Sequence, residues 1–355
     1  MFSAARGTAS SVGWRAATRR WECVRCFTRN PTTPVVPIVD LSNSKQASVD
    51  LHHAFSTYGC CYLKGHGIDT PQEARVMDAA HAYFDMAQEV KDKYHRPSSS
   101  TGFVRGYIGL GAESGSADFV EVKEGFSYGY EWDATIAPSN PLQGPNVWPS
   151  ELATSHQRAL QSLFTTLVGV SNRLCDALSV ALNKPPSYFS SFCTHGDTIS
   201  ILRAFHYFPY SVLPRGGRNV IGSSPHTDWG FLTLILQDKV GGLQLFHDGK
   251  WTDVPYIPGT LFVNGGDYLS LLTDGTWRSP VHRVVNDVEH DRTSLVFFYY
   301  PDYDARIPPI AKATTATRPG LLANVNTLLD HTVASNHEPF GQYIQSKWAA
   351  VQRDG

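Results

Sequence analysis

The sequence predicts a mainly β fold with flanking α-helices, its core an antiparallel jelly roll, and three observations carry that prediction. After Thr198 the chain breaks into short apolar runs separated by turn pairs at Gly241-Gly242, Asp248-Gly249, Gly265-Gly266 and Asp274-Gly275, the pattern of short antiparallel strands. Before Thr198, apolar residues recur instead at helical spacing. The composition, 42% hydrophobic and 12% aromatic with a formal net charge of −2 over 355 residues, is that of a globular protein with a sizeable core. Length alone allows two domains, but sandwiches and barrels often carry this many residues around one core, so one domain with helical decoration is expected.

The first thirty residues differ from the rest. They hold Arg6, Arg15, Arg19, Arg20, Arg25 and Arg29, several Ser and Thr, and only Glu22 as an acid. That is transit-peptide composition, which predicts an organelle, mitochondria first; the plain alternative is a basic tail with no address, leaving the chain in the cytoplasm. No apolar stretch of signal-peptide length is present, which disfavours secretion. Six cysteines without regular spacing fit a reducing, intracellular home. Cys23 and Cys26 have CxxC spacing but no second pair to close a zinc site.

From Ser44 to Tyr58 the apolar positions Ala47, Leu51, Ala54, Phe55 and Tyr58 follow a helical period and lead into a short strand around Cys60 to Leu63. Thr70-Pro71-Gln72-Glu73 then reads as a capping box opening a helix that runs to about Tyr94, ahead of Pro97. The Gly-rich stretch from Ser98 to Gly144 carries Phe103, Tyr107, Phe126, Tyr128, Tyr130 and Trp132, which could reach a substrate mouth, although packing beneath a long loop is the commoner role. A long helix follows, with Leu160, Leu163, Leu167, Val170, Leu174, Leu178 and Ala181 on one stripe and Asn183, Pro185 and Pro186 ending it. In a jelly roll two facing sheets enclose a narrow pocket into which alternate side chains project, so residues far apart in sequence can meet there.

The candidate site lies between Ser224 and Ser294. His226 and Asp228 sit two apart in an apolar run, His226 to Gln237, read as one strand, so both side chains leave the same face. His282 opens a β-branched stretch that can bring a third ligand. Two imidazoles and a carboxylate on one face of a metal leave the opposite face open, an arrangement suited to non-haem Fe(II) oxygen chemistry. By composition about one His-x-Asp pair is expected by chance, and His195-Gly196-Asp197 is a second one; it lacks a partner histidine and a following Arg-x-Ser, so it is read as the chance pair. Arg292-Thr293-Ser294 begins an alternating strand that puts Arg292, Ser294, Val296, Phe298 and Tyr300 on one face. There the guanidinium can bind a carboxylate bidentately and Ser294 can add a hydrogen bond. The bland reading is an edge-strand arginine snorkelling to water, and Arg96-Pro97-Ser98 shows that the triplet also arises by chance.

With these motifs in hand, the chain resembles the 2-oxoglutarate/Fe(II)-dependent dioxygenases, and in particular the isopenicillin N synthase-like branch. The likeness extends over Val36 to Leu41, Tyr58-Gly59, Lys64 to Ile68, Asn146 to Pro149 and Leu202-Arg203 to Pro209, roughly residues 34 to 305. It implies that the jelly roll is a double-stranded β-helix, that His226, Asp228 and His282 hold Fe(II), and that Arg292 and Ser294 hold the far carboxylate of 2-oxoglutarate. It further implies a Tyr207 hydrogen bond to that co-substrate, although Phe205 stands where many plant members have Asn. The implied reaction uses O2 to hydroxylate, desaturate or cyclise a small organic molecule, releasing succinate and CO2. The expected organisation is a tail at 1–33, an N-terminal helix and strand region at 34–145, a scaffold helix region at 146–199, the Fe(II)/2-oxoglutarate core at 200–305 and a C-terminal helical extension at 306–355.

Three other functions compete. An Fe(II) oxidase of the same fold could use Arg292 and Ser294 for its substrate's own carboxylate and dispense with 2-oxoglutarate. A Zn²⁺ hydrolase would need a nearby general base and has no use for Arg292-x-Ser294, and a binding module has no need of three ligands. Near-neutral charge without a basic stripe argues against nucleic acid, no apolar run reaches membrane-span length, and a monomer acting on a small molecule is expected.

Overall fold

The computed structural model describes residues 36–95, 105–113, 119–212, 219–306 and 338–351. Its centre is an eight-stranded sheet, and strand alternation explains why the sheet has two unlike faces. The strands are β1 (Ile38–Asp40), β2 (Cys60–Lys64), β3 (Gly106–Ile108), β5 (Lys123–Gly129), β6 (Ile201–Tyr207), β9 (Leu232–Gln237), β12 (Leu261–Gly265) and β14 (Arg292–Tyr299), in the order β1-β2-β12-β9-β14-β6-β5-β3. All neighbours run antiparallel except β1 and β2. Along β14, Leu295, Phe297 and Tyr299 enter the main core, while Arg292, Ser294, Val296 and Phe298 face the other way into a pocket. The same period divides β6 into Leu202 and Ala204 against Arg203, Phe205 and Tyr207.

Helices cover the first face. In α1 (Ser44–Thr57), Ala47, Leu51, Ala54 and Phe55 are buried, and Asn43 caps the start by accepting from the Gln46 N–H. In α4 (Thr154–Ala181) the expected stripe is buried from Leu160 to Leu178 and only partly so at Ala181, and Asn183 with φ +57° turns the chain out of it. Each such leucine contributes about 1.5–3 kcal/mol on burial, so the stripe is enough to fix α4 on the sheet. The helix expected from Thr70 to Tyr94 is two helices, α2 (Thr70–Phe84) and α3 (Gln88–Lys93). Its cap is Asp69, whose carboxylate accepts from the Gln72 N–H, and not Thr70; Thr70 already belongs to the helix, so no capping box forms.

The second face looks onto a four-stranded sheet of β11 (Lys250–Asp253), β10 (Leu243–His247), β13 (His282–Val284) and β8 (Ser223–His226), in that order. A second apolar cluster, with Leu243, Leu245 and Val284 from the small sheet and Phe205, Ile235, Phe262 and Val296 from the large one, joins the two layers as a jelly roll requires. A short parallel pair, β4 (Phe119–Glu121) with β7 (Asn219–Ile221), lies beside them.

Two turn expectations change. Asp248 and Gly249, at φ +49° and +77°, form the tight hairpin between β10 and β11. Gly265-Gly266 and Asp274-Gly275, by contrast, flank a short helix, α6 (Asp267–Leu272), instead of separating strands. Of the Gly-rich segment's aromatics, Tyr107, Phe126 and Tyr128 are buried in the main core, so packing is their role; Tyr130 is exposed and meets Trp132 edge-on; Phe103 lies outside the described residues, as do Arg96-Pro97-Ser98, the whole Arg-rich start and the Cys23/Cys26 pair. The described cysteines, Cys60, Cys61, Cys175 and Cys193, are buried free thiols.

Candidate active site

The site is assembled by strand register. β13 and β8 pair antiparallel with His282 opposite His226, so the imidazoles stand side by side with ring centroids 4.3 Å apart. Asp228 arrives differently from expectation. The run His226 to Gln237 is not one strand: β8 ends at His226 in the small sheet, β9 begins at Leu232 in the large one, and Asp228 lies in the turn that crosses between them. That turn is clamped by α6, where the Asp267 N–H donates to the Asp228 carbonyl at 2.7 Å and the Tyr268 N–H to Gly230 at 3.1 Å. Gly266 permits the close approach, since a Cβ there would lie 2.1 Å from the Gly230 carbonyl oxygen.

Asp228 Oδ1 lies 3.8 Å from Nε2 of each histidine. One ligand atom from each of the three residues falls within 4.8 Å of the others, and among the described residues no other group of His, Cys, Asp or Glu converges in this way. The chance pair behaves as one: Asp197 sits in a short 3-10 turn, and the His195 N–H is taken up by Asp302.

The surroundings aim these atoms. His226 Nδ1 meets the Ser224 carbonyl at 2.7 Å and His282 Nδ1 meets the Pro280 carbonyl at 3.1 Å. A carbonyl only accepts, so each Nδ1 carries the hydrogen and each Nε2 keeps its lone pair for the shared centre. Burial first, and His282 second, push His226 down to about 4, which keeps it a neutral ligand. For Asp228, burial raises the pKa, but His282, His226 and a hydrogen bond from Asn264 outweigh it and hold the carboxyl below its usual range. Asn264 Nδ2 donates to Asp228 Oδ2 at 2.8 Å, leaving Oδ1 for a metal. Glu121, held to about 2 because Lys123 and Ser224 overcome its burial, anchors the Ser224 backbone whose carbonyl orients His226.

Arg292 and Ser294 do enter the pocket. Arg292 is 2% exposed; it donates to Ser294 Oγ at 3.2 Å and to Gln237 at 3.3 Å, its face lies 4.7 Å over the Tyr207 ring, and its Nε has no hydrogen-bond partner among the described residues. A buried guanidinium with spare donors is built for an anion. Tyr207, Phe205, Trp229, Tyr300 and Trp348 complete much of the wall.

Sequence reasoning missed Asn264, Arg203, Glu121, Lys123 and Trp348 as site residues. Asn264 had a signal, a lone amide in the apolar strand Leu-Phe-Val-Asn-Gly, and Arg203 shares the inward alternation of Phe205 and Tyr207. Trp348 had none, since it comes from the last helix, Phe340–Val351.

Comparison with known proteins identifies the family. Residues 198–301 match the 2OG-Fe(II) oxygenase superfamily and residues 36–151 match the non-haem dioxygenase in morphine synthesis N-terminal model. The chain is 31% identical to the 2-oxoglutarate-dependent dioxygenase citB of Monascus ruber over 79% of its own length and 87% of that protein. It is 32% identical to clavatol oxidase claD of Penicillium crustosum over 72% of its own length and 80% of that protein. The crystal structure of JOX2 in complex with 2OG, Fe and JA is 26% identical with a TM-score of 0.66, covering 85% of this chain and 88% of that one.

Proposed function

The chain belongs to the 2OG-Fe(II) oxygenase superfamily, and from that premise we propose that His226, Asp228 and His282 hold its Fe(II) while Arg292 and Ser294 hold the far carboxylate of 2-oxoglutarate. It is a 2-oxoglutarate-dependent dioxygenase, an oxidoreductase acting on a small organic molecule. No helix among the described residues is long and apolar enough to cross a membrane.

The observation that carries the residue assignment is the convergence of three aimed ligand atoms with an under-satisfied buried arginine in one pocket. Two imidazoles and one carboxylate are the donor set that selects non-haem Fe(II) and leaves positions open. When bound, iron and 2-oxoglutarate together supply the oxidising chemistry, with release of succinate and CO2. The chain's own work is positioning. The Ser224 and Pro280 carbonyls fix the histidine tautomers, Asn264 fixes which oxygen of Asp228 is free, and the Arg292 fork sets the direction of a dicarboxylate. The Arg292 guanidinium lies 4.7 Å over the ring of Tyr207, which supports a role for Tyr207 at the co-substrate end.

Arg292→Ala tests the assignment. The 2-oxoglutarate requirement should rise on the order of thirtyfold or more, because a bidentate charge-assisted contact is worth about 2 kcal/mol or more, while affinity for the oxidised substrate stays nearly constant. Arg292→Lys should recover part of the loss. After anaerobic reconstitution with Fe(II) and admission of air, oxygen uptake that needs no 2-oxoglutarate would overturn this reading and favour the oxidase instead.

A further inference from the structure

The pocket holds a second buried arginine that the reaction described above does not use. Arg203 projects from β6 at the position paired with Val296 of β14, whereas Arg292 pairs with Tyr207. Four residues of strand separate the two positions, about 13 Å at 3.3 Å per residue, so the cations mark opposite ends of one pocket. Arg203 is 2% exposed. Its Nη1 is committed to Glu113, at 2.9 and 3.1 Å, and its guanidinium lies 4.2 Å over the ring of Trp348. Its Nε and Nη2 have no hydrogen-bond partner among the described residues. Two donors on one edge of a rigid fork, buried and unsatisfied, cost stability unless something supplies acceptors to them.

Charge narrows what that something is. Glu113 neutralises Arg203, and Glu121 neutralises Lys123 in the same wall. At the metal end, on the reading proposed above, the two charges of Fe(II) with Arg292 offset Asp228 and both carboxylates of 2-oxoglutarate. The loaded pocket is therefore balanced before any substrate enters, and a second anion would leave it with an uncompensated buried charge. The aromatic side chains of Phe205, Phe298, Tyr300 and Trp348 line the same pocket, which suits a flat unsaturated ring.

We propose that the Nε/Nη2 edge of Arg203, held by Glu113 and backed by Trp348, is the substrate-orienting subsite, and that the substrate is an uncharged planar molecule presenting a carbonyl-type oxygen to it. The subsite receives the acceptor, the aromatic walls take the ring, and the group to be oxidised is thereby directed toward the metal end.

Three probes matched in ring and size test this: acetophenone, a neutral acceptor; benzoate, an anionic acceptor; and ethylbenzene, with no acceptor. Calorimetric titration into the full chain loaded with 2-oxoglutarate and a redox-inert divalent metal should show acetophenone bound about tenfold more tightly than ethylbenzene, and more tightly than benzoate. Arg203→Lys keeps a cation for Glu113 but loses the fork, and it should bring the acetophenone-to-ethylbenzene ratio close to one. The double variant Arg203→Leu/Glu113→Leu, which removes both charges together, should do the same and guards against a fold defect from an orphaned Glu113. Benzoate as the tightest probe, a wild-type ratio near one, no measurable binding of acetophenone, or a ratio unchanged in Arg203→Lys would overturn the proposal. Succinate formation from 2-oxoglutarate by the iron-loaded enzyme, measured without any probe, keeps the two readings apart. If it fails, the co-substrate assignment is at fault; if it proceeds while the probes bind alike, only the subsite is wrong.

Discussion

Asn264 offers a sharp test of how this chain prepares a metal site, because its side-chain hydrogen bond goes to a proposed ligand. Its Nδ2 donates to Asp228 Oδ2 at 2.8 Å, it is fully buried, and its Oδ1 has no hydrogen-bond partner among the described residues. Asn264→Leu keeps the branched side-chain shape and deletes that donor. A hydrogen bond to a charged group is worth about 1.5–3 kcal/mol, and each 1.4 kcal/mol is tenfold, so divalent-metal affinity should fall on the order of 10- to 150-fold. The range agrees with the usual effect of losing a group that orients a ligand. Metal-free stability should fall modestly, since Asp228 Oδ2 is left without that N–H donor, a loss partly offset by removal of a buried amide oxygen. Asn264→Asp is the useful contrast: it sets a second carboxylate against Asp228 and should destabilise the metal-free protein. Anaerobic competition of Mn(II) or Fe(II) against a chelator gives the affinity, and urea unfolding of the metal-free form gives the stability. A metal affinity within about twofold of wild type in a folded Asn264→Leu protein would refute the reasoning.

Three further outcomes are expected. Asp228→Ala should abolish metal binding and turnover with the fold retained, while Asp197→Ala should leave both intact; metal binding lost in Asp197→Ala and kept in Asp228→Ala would show the wrong pair had been chosen. His206, on the opposite face of β6, bridges Glu124 and Asp291 at 2.9 Å each; burial opposes its charge, but those two carboxylates outweigh it and raise its pKa above 6.5. The stabilisation it brings is thus full below pH 6.5 and lost as pH rises through the raised value, so the gap in urea midpoint between wild type and His206→Gln should close from about pH 6 to about pH 9, and a constant gap would contradict this. A reporter fused to residues 1–33 is expected to collect in an organelle, mitochondria first, and a diffuse cytosolic signal would remove the targeting reading.

The convergence of His226, Asp228 and His282 was legible because its logic is chemical: two histidines, one aspartate and a following arginine narrow the chemistry without knowledge of the path between them. The path itself was less legible. Alternation predicted correctly which residues of β14 face inward, since a strand's period is local. It failed at His226 to Gln237, because nothing in an apolar run says that the chain leaves one sheet at Thr227 and joins another at Leu232; that is decided by pairing with β13 and β12, many residues away. The break between α2 and α3 has no proline or glycine to announce it. Asp69 and Thr70 are both competent caps, and only the backbone at Asp69, extended at φ −88° and ψ 163°, settles which one serves. Arg203, Asn264 and Trp348 owe their roles to neighbours brought together by register, which sequence spacing does not encode.

The two-sided strand has an evolutionary consequence. On β14 and β6 the residues that line the pocket and the residues that face the helix-covered core alternate one for one, with Val296, Phe298 and Phe205 toward the pocket and Leu295, Phe297 and Ala204 toward the core. Substitution at the first set can alter what the pocket accepts without touching a helix contact, so ligand preference can drift while the scaffold stays under its own constraint. A single inserted or deleted residue exchanges the two sets at once. Lineages descended from such a chain should therefore diversify at these strands through replacement, and confine changes of length to the loops.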